Sequence, residues 1–307
     1  MRTVYLGTTD FAATVLHRLA VSDHRPQLVV TRPDRPRGRG RRMKSPPVAD
    51  AARELGIDID QPESVNAEDA RVRIAASDPD AVCICAYGAL IREPLLSAHE
   101  MYNVHPSLLP RWRGAAPIER AIEAGDVHTG VCIMRPIAEL DAGPVYLERP
   151  TPIHDDDDYG SLSGRLASLA GDLLVEALST RRQPREQPEE GVAYAEKIDR
   201  VERRLDPARS APALVRTVRA LTPHVGVYAE TGDGERLGVR RALADAQASG
   251  VTPGEVTAID GRLLFGCDAG ALELLEVQPP GGKPMAAGDY LRGRASALVG
   301  RGEAGGG

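Results

Sequence analysis

Asn103 and His105 stand two residues apart in the stretch NVHPSLLPRWRGAAP at 103–117. If they close a β-strand, that spacing sends both side chains to one side of the sheet. An amide N–H and an imidazolium N–H aimed at one point stabilise an oxyanion, which is the donor set that acyl transfer needs. Asp141, in AELDAGP, follows a later strand and converges on His105 if the two strands are neighbours. A carboxylate there would favour the charged imidazole and select its tautomer. Read singly, each residue also fits an ordinary job: a loop histidine with a capping Asn, and a turn Asp. Directly after the pair, Ser107, Leu108, Leu109 and Pro110 make an apolar turn. Such a turn either docks on a core or walls a flat, partly apolar cofactor beside the polar groups.

The elements that must hold these residues alternate β-rich runs with amphipathic segments, the pattern of βαβ units and a mostly parallel sheet. TVYLG, QLVVTR and AVCICA read as strands, with a short strand ending at Val104, and FAATVLHRLA, 47–55 and 67–76 read as helices. In a parallel sheet functional groups gather at the carboxyl ends of the strands, which is where Asn103 and His105 fall. PIERAIEAG opens on Pro and closes on Gly as a helix does. GVCIMR and PVYLERPTPI are two later strands joined around ELDAG, and leucines at 162, 166, 169 and 173 give a helix over 161–179. The polar, Pro-rich stretch at 180–191 has no apolar period and reads as linker. Beyond it come one helix, ALVRTVRAL, and five short strands, the content of a small β-barrel of the OB kind. The expected layout is a catalytic domain at 1–185, a linker at 186–200, an OB-like domain at 201–300 and a disordered tail at 301–307.

Composition narrows the chemistry. With one Trp and two Phe in 307 residues, broad aromatic platforms for bases are not expected. GTTDFA after the first strand has one Gly where a dinucleotide site has three, so NAD or ATP as a cofactor is disfavoured, and Gly7 and Asp10 read as a turn and a helix cap. Cysteines at 83, 85, 132 and 267 have no C-x-x-C spacing, so a reduced structural role is expected, with no metal. The N-terminus reads as strand and helix rather than signal peptide, and the apolar run at 81–91 is far short of the ~18 residues a membrane span needs. A cytoplasmic monomer is the expectation. The formal charge of -6 conceals a basic stretch, RPDRPRGRGRRMK at 32–44, with seven basic residues against one Asp. By charge alone that stretch is a solvated loop or an anion-binding one.

NVHPSLLPRWRGAAPIERAIEAGDVHTGVCIMRPIAELDAGPV resembles the signature of the N10-formyltetrahydrofolate-dependent formyltransferases. The likeness continues through VYLGTTDFA, VVTRPDRPRGRGRRMKSPPVADAARELGI and AVCICAYGALI, then YAEKI and LELLEVQPPGGKPMAAGDYL, and is greatest to the branch that formylates methionyl initiator tRNA. The resemblance implies a Rossmann-like formyltransferase domain followed by a small OB-like β-barrel. It implies 10-formyltetrahydrofolate as co-substrate, initiator methionyl-tRNA as partner, and Asn103, His105 and Asp141 as the catalytic trio. Ser107, Leu108, Leu109 and Pro110 would border the folate, and Tyr87, Gly88, Leu90, Ile91, Ala138 and Leu140 would hold its pterin. Arg35, Arg37, Arg39, Arg41, Arg42 and Lys44 would engage the tRNA acceptor end, Arg39 between two glycines foremost.

The second half departs from the family pattern. It has RLDPARSA and LTPHVGV where the family carries Trp, and from Glu196 onward its fifteen basic residues equal its fifteen acidic ones. A tRNA role for it would need a one-sided patch such as Arg216, Arg219, Arg240 and Arg241. The run HDDDD at 154–158 is a helix N-terminus or a cation site. Two other functions keep Asn103, His105 and Asp141: formyl transfer to a nucleotide-linked amino sugar, and hydrolysis of the same formyl donor. A non-catalytic RNA-binding module would have no use for them.

Overall fold

Thr3–Gly7 and Ala81–Cys85 are buried at every residue, so these strands are covered on both faces, as parallel strands are; on one of those faces Val4, Leu6, Leu28, Val30, Val82 and Ile84 form one cluster. The computed structural model describes residues 1–37, 42–248 and 250–298; the expected tail at 301–307 lies outside them. The chain divides into two compact units. One comprises 1–117, 127–152 and 163–196; the other comprises 118–126, 153–162 and 197 onward.

The first unit is built on a seven-stranded sheet. Across it the strands run Val145–Pro152, His128–Met134, Met101–His105, Ala81–Cys85, Thr3–Gly7, Pro26–Val30 and Asp58–Asp60. From Asp58–Asp60 to Met101–His105 every pairing is parallel. Met101–His105 then pairs antiparallel with His128–Met134, which pairs antiparallel with Val145–Pro152. The Rossmann-like sheet expected from the βαβ pattern is therefore present, with an antiparallel extension at one edge. The helix Asp10–Ala20 is capped by the Thr9 hydroxyl, which accepts the Ala12 N–H at 3.3 Å, and it buries Ala12, Val15, Leu16, Leu19 and Ala20 as one stripe. Pro47–Leu55 has Pro at its first position and ends on Gly56 in the left-handed conformation.

The short strand Asp58–Asp60 and the helix Leu95–Ala98 were not expected, being too brief to show a period. Neither were two small sheets. Arg35–Arg37 pairs with Arg42–Lys44, and Arg113–Gly114 pairs with Tyr194–Ala195.

The second unit is an antiparallel sheet in the order Val227–Glu230, Arg236–Asp245, Ala271–Gln278, Arg262–Gly266 and Val256–Ile259, with Met285–Ala286 beside Ala271–Gln278. Irregular register at Val239, Arg241 and Ala242 bends the long strand, as a bulge does. This is the small β fold expected of the second half. Ala211–Leu221 packs on it through Leu214, Val218 and Leu221. Three of the four arginines expected as a one-sided patch are tied up within this unit. Arg216 Nε donates to the Glu123 carbonyl at 3.0 Å, Arg219 to the Asp157 and His154 carbonyls at 2.6 Å each, and Arg240 to Gln278 Oε1 and the Pro223 carbonyl. In the HDDDD run Asp158 accepts the Ser161 N–H and so caps the helix that starts at Tyr159, while Asp157 accepts the His154 N–H and closes the turn before it.

Candidate active site

His105 ends the last parallel strand and is buried, 4 % exposed, opposite Cys132. Its Nε2 lies 2.8 Å from the carbonyl oxygen of Trp112. A carbonyl only accepts, so Nε2 carries a proton and Nδ1 is the nitrogen free to react. Trp112 presents that carbonyl from a left-handed conformation, φ 66°, which costs a bulky residue about 1–3 kcal/mol and persists where the surroundings enforce it. Asn103, two residues back and half-buried, projects to the same side; among the described residues its amide makes no hydrogen bond within the protein.

Asp141 arrives from the connection between His128–Met134 and Val145–Pro152. It adopts φ 48°, a conformation Asp tolerates better than most side chains. Its Oδ2 accepts the Gly114 N–H at 2.9 Å and stands 3.7 Å from His105 Nδ1. Asn103, His105 and Asp141 are thus brought together at the carboxyl end of Met101–His105. Gly114 and Gly143 are required by close approach. A Cβ on Gly114, whose φ is 125°, would meet the Ala195 carbonyl oxygen at 2.6 Å, and one on Gly143 would meet that of Arg135 at 1.9 Å.

The four turn residues divide by burial. Ser107 is fully buried and donates its hydroxyl to the Arg111 carbonyl at 2.7 Å; Leu109 packs with Cys132 and Met134 in a small core, its N–H donating to Cys132 Sγ at 3.4 Å. Burial pushes the Cys132 thiol up to about 12, so it remains neutral. Leu108 and Pro110 are half-buried and keep accessible surface. On the loop after Ala81–Cys85, Tyr87 is buried, Ile91 packs on the main core, and Gly88 and Leu90 are exposed, Leu90 by 62 %. Burial pushes the Tyr87 phenol upward against the neighbouring Arg32. Its backbone carbonyl accepts from Thr8 Oγ1 at 2.7 Å, at the place where the strand order reverses about Thr3–Gly7. Ala138 and Leu140 are exposed, Leu140 by 50 %. Leu90 and Leu140 thus expose apolar side chains on the two loops that follow Ala81–Cys85 and His128–Met134.

Three buttresses had no signal in the sequence, because each joins distant segments. Asn66 accepts the Arg92 N–H and donates to the Leu90 carbonyl, at 2.8 and 2.9 Å. Gln187 donates from Nε2 to the carbonyls of Asp141 and Gly143, both at 2.8 Å. Arg113, 8 % exposed, donates to Gln187 Oε1 from Nε at 3.0 Å and from Nη2 at 2.8 Å.

Within the basic stretch Arg35–Arg37 and Arg42–Lys44 pair antiparallel, Arg35 opposite Lys44 and Arg37 opposite Arg42. Arg39 and Arg41 lie outside the described residues. Arg42 and Lys44 are exposed, whereas Arg35 holds an ion pair with Glu63 at 2.7 Å. Gln61 holds the approach to Arg35–Arg37, donating to the Arg32 carbonyl and to Asp34 Oδ1.

A parallel sheet that gathers an amide, an imidazole and a carboxylate near the end of one strand supplies the groups that acyl transfer requires. Residues 1–178 match the formyl transferase family and residues 197–295 the formyl transferase C-terminal domain, so the chain belongs to the formyl transferase family. Within it, the chain is 44% identical over 309 residues to the methionyl-tRNA formyltransferase of Stenotrophomonas maltophilia (strain K279a), covering 98% of this chain and 100% of that one. It is 42% identical over 297 residues to the methionyl-tRNA formyltransferase of Ruegeria pomeroyi, covering 95% and 97%. The fold is shared with HypX from Aquifex aeolicus, solved in complex with tetrahydrofolic acid. The TM-score is 0.65 at 18% identity, over 97% of this chain but 48% of that one.

Proposed function

We propose that this chain transfers the formyl group of 10-formyltetrahydrofolate to the α-amine of methionyl initiator tRNA, acting in the cytoplasm as a monomer. The observation that carries the reading is the convergence of Asn103, His105 Nδ1 and Asp141 Oδ2 in a chain that matches methionyl-tRNA formyltransferases along nearly its whole length. The folate supplies an activated formyl carbon on N10. Asn103 donates an amide N–H to the formyl oxygen as charge develops there, and the charged ring of His105 donates from Nδ1, since Nε2 is held by Trp112. Asp141 faces that nitrogen and takes the proton released by the attacking amine, and the same proton passes, directly or through a water, to N10 as its bond to carbon breaks. Leu90, Leu108 and Leu140 would wall the folate, with backbone at 87–91 and 138–141 holding its pterin. Arg42 and Lys44, with Arg35, Arg37, Arg39 and Arg41, would meet acceptor-stem phosphates.

Incubating the protein with 10-formyltetrahydrofolate and methionyl initiator tRNA, beside a nucleotide-linked amino sugar and beside no acceptor, tests this. Formylmethionyl-tRNA is the expected product. A formylated sugar, or free formate at an equal rate without acceptor, would overturn the assignment.

A further inference from the structure

We propose that Gln187 is a positioning residue for formyl transfer: its amide holds the turn that carries Asp141, and Arg113 fixes the way that amide faces. The proposal rests on the function assigned above. The turn from Glu139 to Gly143 has few hydrogen bonds of its own; the Ala142 N–H reaches the Glu139 carbonyl at 3.5 Å. Asp141 at φ 48° and the crowded Gly143 are conformations that external partners must enforce. Gln187 supplies two, one amide N–H to each of the carbonyls of Asp141 and Gly143 at 2.8 Å.

A glutamine amide can face either way unless its partners discriminate between oxygen and nitrogen. Arg113 discriminates, because a guanidinium has only donors and both its contacts with Gln187 fall on Oε1, while its Nη1 pairs with Glu139 Oε1 at 3.5 Å. Backbone hydrogen bonds in both directions between Val145 and Arg185, at 2.7 and 2.9 Å, set Gln187 opposite Gly143. Arg113 is followed by Gly114, whose N–H holds the Asp141 carboxylate. One dipeptide thus governs both ends of Asp141: its backbone through Gln187, and its side chain directly. The consequence falls on the 3.7 Å between Asp141 Oδ2 and His105 Nδ1, where a displacement of ~1 Å typically costs ~100-fold in rate.

Gln187→Glu keeps an acceptor for Arg113 but sets a carboxylate against two carbonyl oxygens; Gln187→Met removes donor and acceptor without adding charge. In steady-state formylation, kcat should fall ~10- to 100-fold in both, with KM for tRNA within about twofold of wild type. The Gln187 change should cost little more when made in an Asp141→Asn background, because both act on one interaction. Independent, multiplicative losses would overturn the proposal, as would an unchanged kcat or a loss that only tracks the folded fraction by thermal melt. Where Gln187→Met fails to fold, Gln187→Glu carries the same comparison. The 15N shift of His105 Nδ1 should also move in Gln187→Met. If wild type proves inactive on Met-tRNA, the functional assignment fails, and this signal alone decides on Gln187; an unmoved shift would overturn its role.

Discussion

Replacing Asp141 by Asn removes a charge and little else. The Asn side-chain oxygen can still accept the Gly114 N–H that Oδ2 accepts at 2.9 Å, so the turn keeps its shape. What disappears is the interaction across 3.7 Å with the His105 ring, in a place where the two side chains are 14% and 5% exposed. A proton acceptor positioned at the reacting groups contributes ~100- to 10,000-fold in rate. Asp141→Asn should therefore lower kcat about 1,000-fold. Both KM values and the melting temperature should stay close to wild type. The assay is formylation of methionyl initiator tRNA at saturating folate, with a melt on the same preparation. A variant that retained more than a tenth of wild-type kcat would refute the assignment of Asp141 as proton acceptor.

Gly143→Ala should lower the melting temperature, because its Cβ would stand 1.9 Å from the Arg135 carbonyl oxygen and backbone must shift, at a cost of ~1–3 kcal/mol or more. Activity should fall with it, since the same turn carries Asp141. Arg42→Ala and Lys44→Ala should each raise KM for tRNA and reduce the slope of its salt dependence by about 1, leaving KM for folate unchanged. Arg35→Ala should do less, as its guanidinium already pairs with Glu63 at 2.7 Å. The four cysteines are buried and free, and burial pushes Cys85 and Cys132 up to about 12. Titration with a disulfide reagent at pH 8 should label none in the native protein and four after unfolding.

The parallel sheet and the strand-end position of Asn103 and His105 were legible because they depend on local sequence. A run such as AVCIC is apolar on both faces and fits only a covered strand, and spacing of two fixes a shared side. The helix over 161–179 appears as Tyr159–Thr180 for the same reason, its leucines keeping one face. The division within Ser107–Pro110 was not legible. Successive residues alternate between core and surface according to what lies opposite, and only the packing of Leu109 against Cys132 and Met134, on a strand far along the chain, shows that it faces inward. Nor could the basic composition of 32–44 separate the exposed Arg42 and Lys44 from Arg35, whose partner Glu63 lies in another segment.

By itself, then, the sequence determined the fold class, the family and the identity of the amide, imidazole and carboxylate, all carried by short contiguous patterns. The tertiary structure decided which imidazole nitrogen is available, through a Trp112 carbonyl that no spacing rule places beside His105. It also decided that Gln187, in a stretch that read as linker, grips the Asp141 turn. Those facts depend on contacts between segments as many as 46 residues apart, and side-chain geometry across such a gap exists only after the chain has folded.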